Sequence, residues 1–418
     1  MTPPTSDLLR ELEWRGFVHQ ATPGLDAHVA RGPLTAYCGF DPTVPSLQVG
    51  NLVALMLLAN LQRHGHRPIV LMGGGTGLIG DPSGKSAERP LLSKEQIREN
   101  AQRMRDQASR FLEFGAGPKA ALMLDNAKWL VELKAIDFLR DVGKHFTVNV
   151  MLQKESVQAR MDSGLSYTEF SYMLLQAYDF LHLYRERQCT LQVAGSDQWG
   201  NITAGVELIR RVENAEVHGL VAPLVTRTSG QKFGKTEAGA VYLDPGMTSP
   251  YKFYQFWINV DDRDVEGYLK LFTLKAQDEI VEVMARQKKD PAGRAAQTAL
   301  AMDVTTRAHG GAAAASAAAA AGVLFGDFDP RRADARVFEI LAQEIPTTPV
   351  ARDALTLVDA VVRAGLAKSK SEARRAIEQG GIYVNQQRTE EITDADWLAG
   401  GSLLLRKGKK EFALLKAQ

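Results

Sequence analysis

Cysteine is nearly absent from this sequence. Its 418 residues hold two, Cys38 and Cys189, which excludes a disulfide framework and points to a reducing, cytoplasmic setting. No apolar run reaches the roughly 20 residues of a membrane span, so no membrane partner is expected. The first residues, Met1-Thr2-Pro3-Pro4-Thr5-Ser6-Asp7, lack a basic stretch followed by an apolar core, and no signal peptide is expected. The eight histidines are scattered; His64 and His66, two apart, do not share a helix face. With no Cys/His cluster at ligand spacing, neither a structural zinc nor a tightly bound protein-ligated metal is expected. An excess of one charge is also missing. The net charge is +1, so any nucleic-acid contact must come from a local patch.

What is present is a soluble globular composition and length for two or three domains. The most informative stretch is Tyr37-Cys38-Gly39-Phe40-Asp41-Pro42-Thr43, followed by Gln48-Val49-Gly50-Asn51. A short strand, Leu34 to Tyr37, leads into it, and a buried helix, Leu52 to Leu61, leads out. Such a turn offers backbone N–H groups and the positive end of a helix dipole to an anion above the sheet. Further strands are expected at Arg67–Met72, Ala121–Leu124, Thr190–Ala194 and Leu220–Thr226. Helices are expected at residues 7–20, 94–114, 167–183 and 202–212. Alternation of this kind means a parallel sheet with helices on both faces and ligands at the strand C-terminal ends.

From Tyr251 the strand signal stops. Residues 251–325 read as helices, including the alanine-rich run Gly311 to Ala321. The expected division is an α/β domain at 1–240 with a helical insertion, an α-helical domain at 241–325, a linker at 326–350 and a small α+β unit at 351–418. That last unit has twelve Lys and Arg against nine acidic residues. The cations cluster at Lys368, Lys370, Arg374 and Arg375 and at Arg406, Lys407, Lys409 and Lys410, as on an RNA-binding appendage.

Two motifs mislead. Gly75-Thr76-Gly77-Leu78-Ile79-Gly80 follows a strand, but Asp81-Pro82-Ser83-Gly84 comes next and no long helix opens, so a dinucleotide site is rejected. Gly84-Lys85-Ser86 lacks the glycine that a P-loop needs five residues earlier, where Ile79 stands. The convergent polar groups are more telling. Strand ends carry Asp41, Thr43, Gln48, Gly50 and Asn51, then Asp81 and Lys85, then Asp197 and Gln198. Lys232 and Lys235 sit on a glycine-flanked loop and suit a polyphosphate that gains charge during reaction. Tyr172, Gln176 and Asp179 share one helix face by their spacing. Together they describe a pocket for a zwitterion beside a nucleotide.

These stretches, with Gly195-Ser196-Asp197-Gln198-Trp199-Gly200-Asn201 and Lys232-Phe233-Gly234-Lys235-Thr236, resemble the bacterial tyrosyl-tRNA synthetases over nearly the whole chain. These are class I enzymes. Gln48–Asn51 takes the position of their HIGH signature, Lys232–Thr236 that of the KMSKS loop, and the C-terminal unit is similar to an S4-type RNA-binding domain. The resemblance implies a Rossmann-like parallel-sheet catalytic domain, then an all-α domain and the small α+β RNA-binding domain. It implies formation of tyrosyl-adenylate from tyrosine and ATP, with Mg2+, and transfer of tyrosine to tRNA(Tyr) by a cytoplasmic homodimer.

Carried onto this chain, the resemblance puts the tyrosine phenol at Tyr37 and Asp179 and its ammonium at Asp81, Tyr172 and Gln176, with Asn126 in support. Cys38, Gly39, Asp41, Gly50, Asp197 and Gln198 would contact ATP and the adenylate. Thr43, Gln48, Asn51, Lys85, Arg89, Lys232, Lys235 and Thr236 would act on the phosphates in the transition state. Both histidines of the HIGH signature are replaced, by Gln48 and Asn51, whose amides also donate neutral hydrogen bonds. Two alternatives stay open. One is a synthetase-like RNA-binding or regulatory protein without activation activity, which the altered HIGH signature favours. The other is a tryptophan enzyme, which Tyr37 and Asp179 disfavour. An apolar-rich segment, Ile136 to Met151 with Tyr167, is the candidate dimer surface.

Overall fold

The computed structural model describes residues 6–83, 92–161, 164–228, 230, 233–236, 239–326, 328–352, 355–408 and 411–418. The chain forms two compact units, one of residues 1–248 with 259–308, the other of 249–258 with 309–418. Among the described residues, no helix is long and apolar enough to cross a membrane.

The first unit is built on a six-stranded sheet. Its strands are β1 (Gln20–Ala21), β2 (Thr35–Phe40), β3 (Arg67–Met72), β4 (Leu122–Asp125), β5 (Cys189–Gly195) and β6 (His218–Ala222). The order is β1-β6-β5-β2-β3-β4; all neighbours are parallel except β1, which runs antiparallel to β6. The chain thus lays β3 and β4 to one side of β2, then returns to place β5 on the other. Open sheets bind ligands at such a reversal, above the strand C-terminal ends. Tyr37 on β2 lies in register with Ile69 on β3 and Gln192 on β5, so it sits at that reversal.

Local chemistry explains the elements. β3 is buried along Pro68–Met72, the apolar run of a strand covered on both faces. Helix Leu52–Arg63 is buried on nearly every side and packs on β2, β3 and β5. Helix Lys94–Ala108 opens with a capping box: Gln96 N–H donates to Ser93 Oγ at 3.2 Å, and Ser93 N–H to Gln96 Oε1 at 3.0 Å. β6 stops at Ala222, short of the expected Thr226, because Pro223 has no N–H for the ladder. A small antiparallel pair, β7 (Lys235–Thr236) and β8 (Gly239–Ala240), follows.

The second unit corrects two expectations. Residues 241–325 are helical but do not form one body. Helix Pro250–Ile258 packs on helix Gly311–Phe325 in the second unit, whereas Val265–Phe272 and Gln277–Lys289 belong to the first. The alanine-rich run is a helix, with Ala314, Ala317 and Ala320 fully buried. Residues 326–350, expected as a linker, carry helix Ala335–Glu344, capped by Asp334 Oδ1 accepting from Val337 N–H at 3.1 Å. They also carry strand β9 (Thr347–Val350). The sheet continues with β10 (Ile382–Val384), β11 (Ser402–Lys407) and β12 (Glu411–Ala417), in the order β10-β11-β12-β9. β9 is an edge strand, where Pro349 costs no ladder bond on its open side.

Candidate active site

β2, β3 and β4 each end in a polar turn, and the turns interlock. After β3 the chain reads Gly73-Gly74-Gly75. A Cβ at Gly73 would collide with Asp41 Oδ1 and Thr76 Oγ1, and one at Gly74 with Asp125 Oδ1, so only glycine admits these groups. Thr76 Oγ1 donates to Asp41 Oδ1 at 2.8 Å and Tyr172 O–H to Asp41 Oδ2 at 2.9 Å. Asn126, 1% exposed, accepts from Gly75 N–H at 2.8 Å and donates to Thr76 Oγ1 at 3.0 Å and Asp179 Oδ2 at 2.8 Å. Trp129 Nε1 donates to Asp179 Oδ1 at 2.7 Å. A second network joins the end of β5: Gln198 Nε2 donates to Asp81 Oδ2 at 2.6 Å, and Asn201 Nδ2 to Gln198 Oε1 and Gln176 Oε1, both at 3.1 Å.

These networks line a cavity of about 590 Å³ between the ends of β2 and β5. Tyr37, Cys38, Gly39, Asp41, Thr43, Gln48, Gly50, Asn51, Asp81, Asn126, Tyr172, Gln176, Asp179, Asp197 and Gln198 all face it. Lys85, Arg89 and Lys232 lie outside the described residues. Lys235 is exposed on β7, next to the cavity-lining Phe233, and Thr236 pairs with Gly239 in the same hairpin. Another concavity, near Arg110, Lys275 and Arg307, holds none of the expected residues.

The signature turn and loop are tied together through the backbone. Val241 N–H donates to Gly234 O at 3.0 Å, and Val49 N–H to Val241 O at 3.1 Å. Gly234 has φ +79°, and a side chain there would press on Val49 at 3.0 Å. In the turn, Asn51 Oδ1 accepts from Gln48 N–H at 2.9 Å, which leaves the Asn51 amide nitrogen as a donor toward the cavity.

Burial sets the electrostatics. It pushes the Asp179 carboxyl up to about 8, against the pull of the Asn126 and Trp129 donors. Burial likewise raises Asp81, opposed by Ser83 and Gln198. It raises Tyr37 and Tyr172 well above the usual phenol range, with Asp179 and Asp41 adding to the effect. The Cys38 thiol rises to about 12, so it is a neutral wall group and no nucleophile. Two polar atoms at the cavity end without partners among the described residues: the Tyr37 hydroxyl and Gln192 Oε1.

Trp129, Thr76, Gln192 and Asn201 were not among the residues expected from sequence. Asn201 lay inside a quoted motif. Trp129 had only its place one turn past Asn126 as a signal.

In the second unit, Lys368, Lys370, Arg374 and Arg375 are exposed around helix Lys370–Glu378. Lys370 pairs with Asp359 at 2.7 Å. Lys407 turns inward instead, its ammonium donating to Leu366 O at 2.8 Å and pairing with Glu372 at 3.0 Å. The Arg406 guanidinium covers the Tyr383 ring at 3.9 Å. Lys409 and Lys410 lie outside the described residues.

Residues 30–326 match the family model for class I tRNA synthetases (W and Y), and 338–415 that of the tyrosine–tRNA ligase SYY-like C-terminal domain. A tyrosine–tRNA ligase of Anaeromyxobacter dehalogenans is 54% identical over 99% of this chain and 100% of its own length. The chain belongs to the tyrosine–tRNA ligases. The ligase of Roseiflexus castenholzii is 52% identical over 98% of the chain and 99% of its own length. Among solved structures, a C-terminally truncated mitochondrial tyrosyl-tRNA synthetase of Aspergillus nidulans superposes with TM-score 0.68 at 29% identity. That match covers 74% of this chain and 92% of the other. As a tyrosine–tRNA ligase, the protein is an aminoacyl-tRNA synthetase that takes tyrosine, ATP and tRNA as substrates. The S4-like appendage expected from sequence corresponds to the match at 338–415, which begins ahead of β9.

Proposed function

We propose that the cavity between β2 and β5 selects tyrosine through its phenol and converts it to tyrosyl-adenylate. The observation that carries this reading is the unpartnered Tyr37 hydroxyl beside Asp179, whose carboxylate is oriented by Asn126 and Trp129. A buried phenol must both donate and accept. Its O–H donates to Asp179, and its oxygen accepts from Tyr37. The added donor stabilises the ionised carboxylate and lowers its pKa on binding. Asp81, Tyr172 and Gln176 take the ammonium. Cys38, Gly39, Asp41, Gly50, Asp197 and Gln198 hold the nucleotide.

The tyrosine carboxylate attacks the α-phosphorus of ATP; an O–P bond forms and the bond to pyrophosphate breaks. A ribose hydroxyl of the terminal adenosine of tRNA then attacks the activated carbonyl and AMP leaves. No side chain acts as nucleophile. Thr43, Gln48, Asn51, Lys85, Arg89, Lys232, Lys235 and Thr236 stabilise charge developing on the phosphates, so catalysis is positioning and electrostatics. ATP would bring Mg2+ on its phosphates, where the ion would neutralise part of their charge. Among the described residues no group of three or more His, Cys, Asp or Glu is placed to hold a metal.

The exposed cations Lys368, Lys370, Arg374 and Arg375, with Arg406, Lys409 and Lys410, make the tRNA-binding region of a cytoplasmic enzyme; Lys407, held by Leu366 O and Glu372, is not free to join them. The protein is a homodimer in this reading: Ile136 is 75% exposed, Val148 58% and Tyr167 73%, an apolar face of the kind that mates with a second copy. The test of the whole reading is charging of tRNA(Tyr) with labelled tyrosine. Transfer that needs tyrosine, ATP and the tRNA together is expected; a protein that binds the tRNA and never charges it would be the regulatory alternative.

A further inference from the structure

Helix Val265–Phe272, with Asp264 at its start, makes three contacts one helical turn apart: two with Thr226 and Thr228, just ahead of the signature loop, and one with the loop residue Phe233. Asp264, at the helix start, accepts from Thr228 N–H at 3.2 Å and from the Thr228 hydroxyl. Tyr268 O–H donates to Thr226 O at 3.2 Å. Phe272 stacks on Phe233 with ring centroids 5.2 Å apart and planes 14° apart, while Tyr268 meets the same ring edge-on at 5.1 Å. Residues 264, 268 and 272 stand four apart, so they form one stripe along the helix.

The helix is itself fixed from behind. Arg15, 1% exposed, donates Nη1 to Lys270 O and Thr273 O at 2.9 Å and Nη2 to Lys275 O at 2.6 Å. A guanidinium thus caps the carbonyls that the helix end leaves open. Glu11 holds Arg15 Nε at 2.7 Å. On the far side of Phe233, Gly234 is bonded through Val241 to Val49. Phe233 therefore links a clamped helix to the turn that carries Gln48 and Asn51.

We propose that Asp264, Tyr268 and Phe272 are positioning residues for adenylate formation: they seat the loop, through Thr226, Thr228 and Phe233, so that Lys235 is presented to the ATP phosphates. The inference rests on the assignment of Lys235 to the phosphates made above. None of the three touches substrate. Their effect belongs to the activation step, because tyrosine is held by residues on other elements. Plain core packing would instead lower stability and all ligand affinities together.

The test is a set of double-mutant cycles on the full-length protein, read by single-turnover adenylate formation at saturating tyrosine and ATP, with tyrosine affinity and thermal unfolding measured alongside. Asp264→Asn, Tyr268→Phe and Phe272→Leu are combined with Lys235→Ala. Asp264→Asn and Phe272→Leu are expected to slow activation about tenfold with tyrosine affinity within about twofold. On the Lys235→Ala background the same changes should cost less than about twofold, since the group they position is gone. Tyr268→Phe removes one neutral bond and should slow activation about threefold, again only when Lys235 is present. If Phe272→Leu fails to fold, Asp264→Asn, at a half-buried helix start, decides. Full, multiplicative losses on the Lys235→Ala background, or unchanged rates in folded variants, overturn the proposal while leaving the phosphate role of Lys235 standing. A Lys235→Ala enzyme as fast as the parent overturns both.

Discussion

The Tyr37 hydroxyl lies near enough to the Asp179 carboxyl to feel its charge without bonding to it: the hydroxyl has no partner among the described residues, and Asp179 accepts from Asn126 and Trp129. The pair is a prepared donor and acceptor at the wall of one cavity. Phenylalanine would leave both unsatisfied in a site closed to water, and unmade buried bonds are costly. That this enzyme family rejects phenylalanine strongly without editing is a standard example of the principle.

Tyr37→Phe removes one neutral bond and should reduce discrimination by about 0.5–1.5 kcal/mol. Asp179→Ala should do far more harm, since it removes the acceptor that becomes charged on tyrosine binding and strands the Asn126 amide and the Trp129 indole N–H. Activation efficiency with tyrosine and phenylalanine, in the parent and both variants, checks the order of the two effects. An unchanged ratio in Tyr37→Phe would place the phenol elsewhere.

Lys235→Ala should lower the rate of adenylate formation by about 100-fold while tyrosine affinity changes by less than about twofold. Rapid-quench kinetics beside equilibrium tyrosine binding separates the two. Weakened binding with an intact rate would contradict the assignment.

Stability should respond to pH through Asp179. Its carboxyl titrates near 8 in the folded chain against 3.8 for the ordinary group. Between about pH 4 and 8 the folded state keeps a proton that the unfolded state has released, so stability falls as pH rises across that window and levels off above it. Asp179→Ala lacks this slope. Denaturant unfolding at pH 5 and pH 8 should show the parent losing ground to the variant at the higher pH; a gap that stays constant or widens in favour of the parent would refute the assignment.

The sequence made the site more legible than the domain borders. Tyr172, Gln176 and Asp179 could be placed on one face from helical spacing, and Asp41, Asp81 and Asp197 from their positions at strand ends. Trp129 could not, because its bond to Asp179 joins two elements whose approach no local pattern encodes. Residues 326–350 misled for a similar reason. Their glycine, aspartates and three prolines read as a linker, yet β9 is completed by β12, far along the chain. The two-residue β1 has no periodicity to detect.

That border changes where a truncation should be made. Ending the chain at 350 would leave β9 without its partner strand, so removal should begin at Pro346. The shortened protein should keep tyrosine-dependent pyrophosphate exchange and lose tRNA charging, and in the full chain tRNA affinity should fall steeply with salt. Parallel loss of exchange and charging would show that the appendage also supports the first step.

The apolar face around Ile136 predicts a dimer that a charge should open. Ile136→Asp, at a 75% exposed position, should shift sedimentation at micromolar concentration from dimer to monomer. A parent protein that sediments as a monomer and charges tRNA fully would remove the dimer from the account.

The most direct test of the tyrosine-activating cavity is ATP–pyrophosphate exchange with each amino acid in turn. Exchange that depends on tyrosine and is far lower with phenylalanine and tryptophan is the result predicted from the Tyr37–Asp179 pair. Exchange that fails with tyrosine, or proceeds as well with phenylalanine or tryptophan, would contradict it.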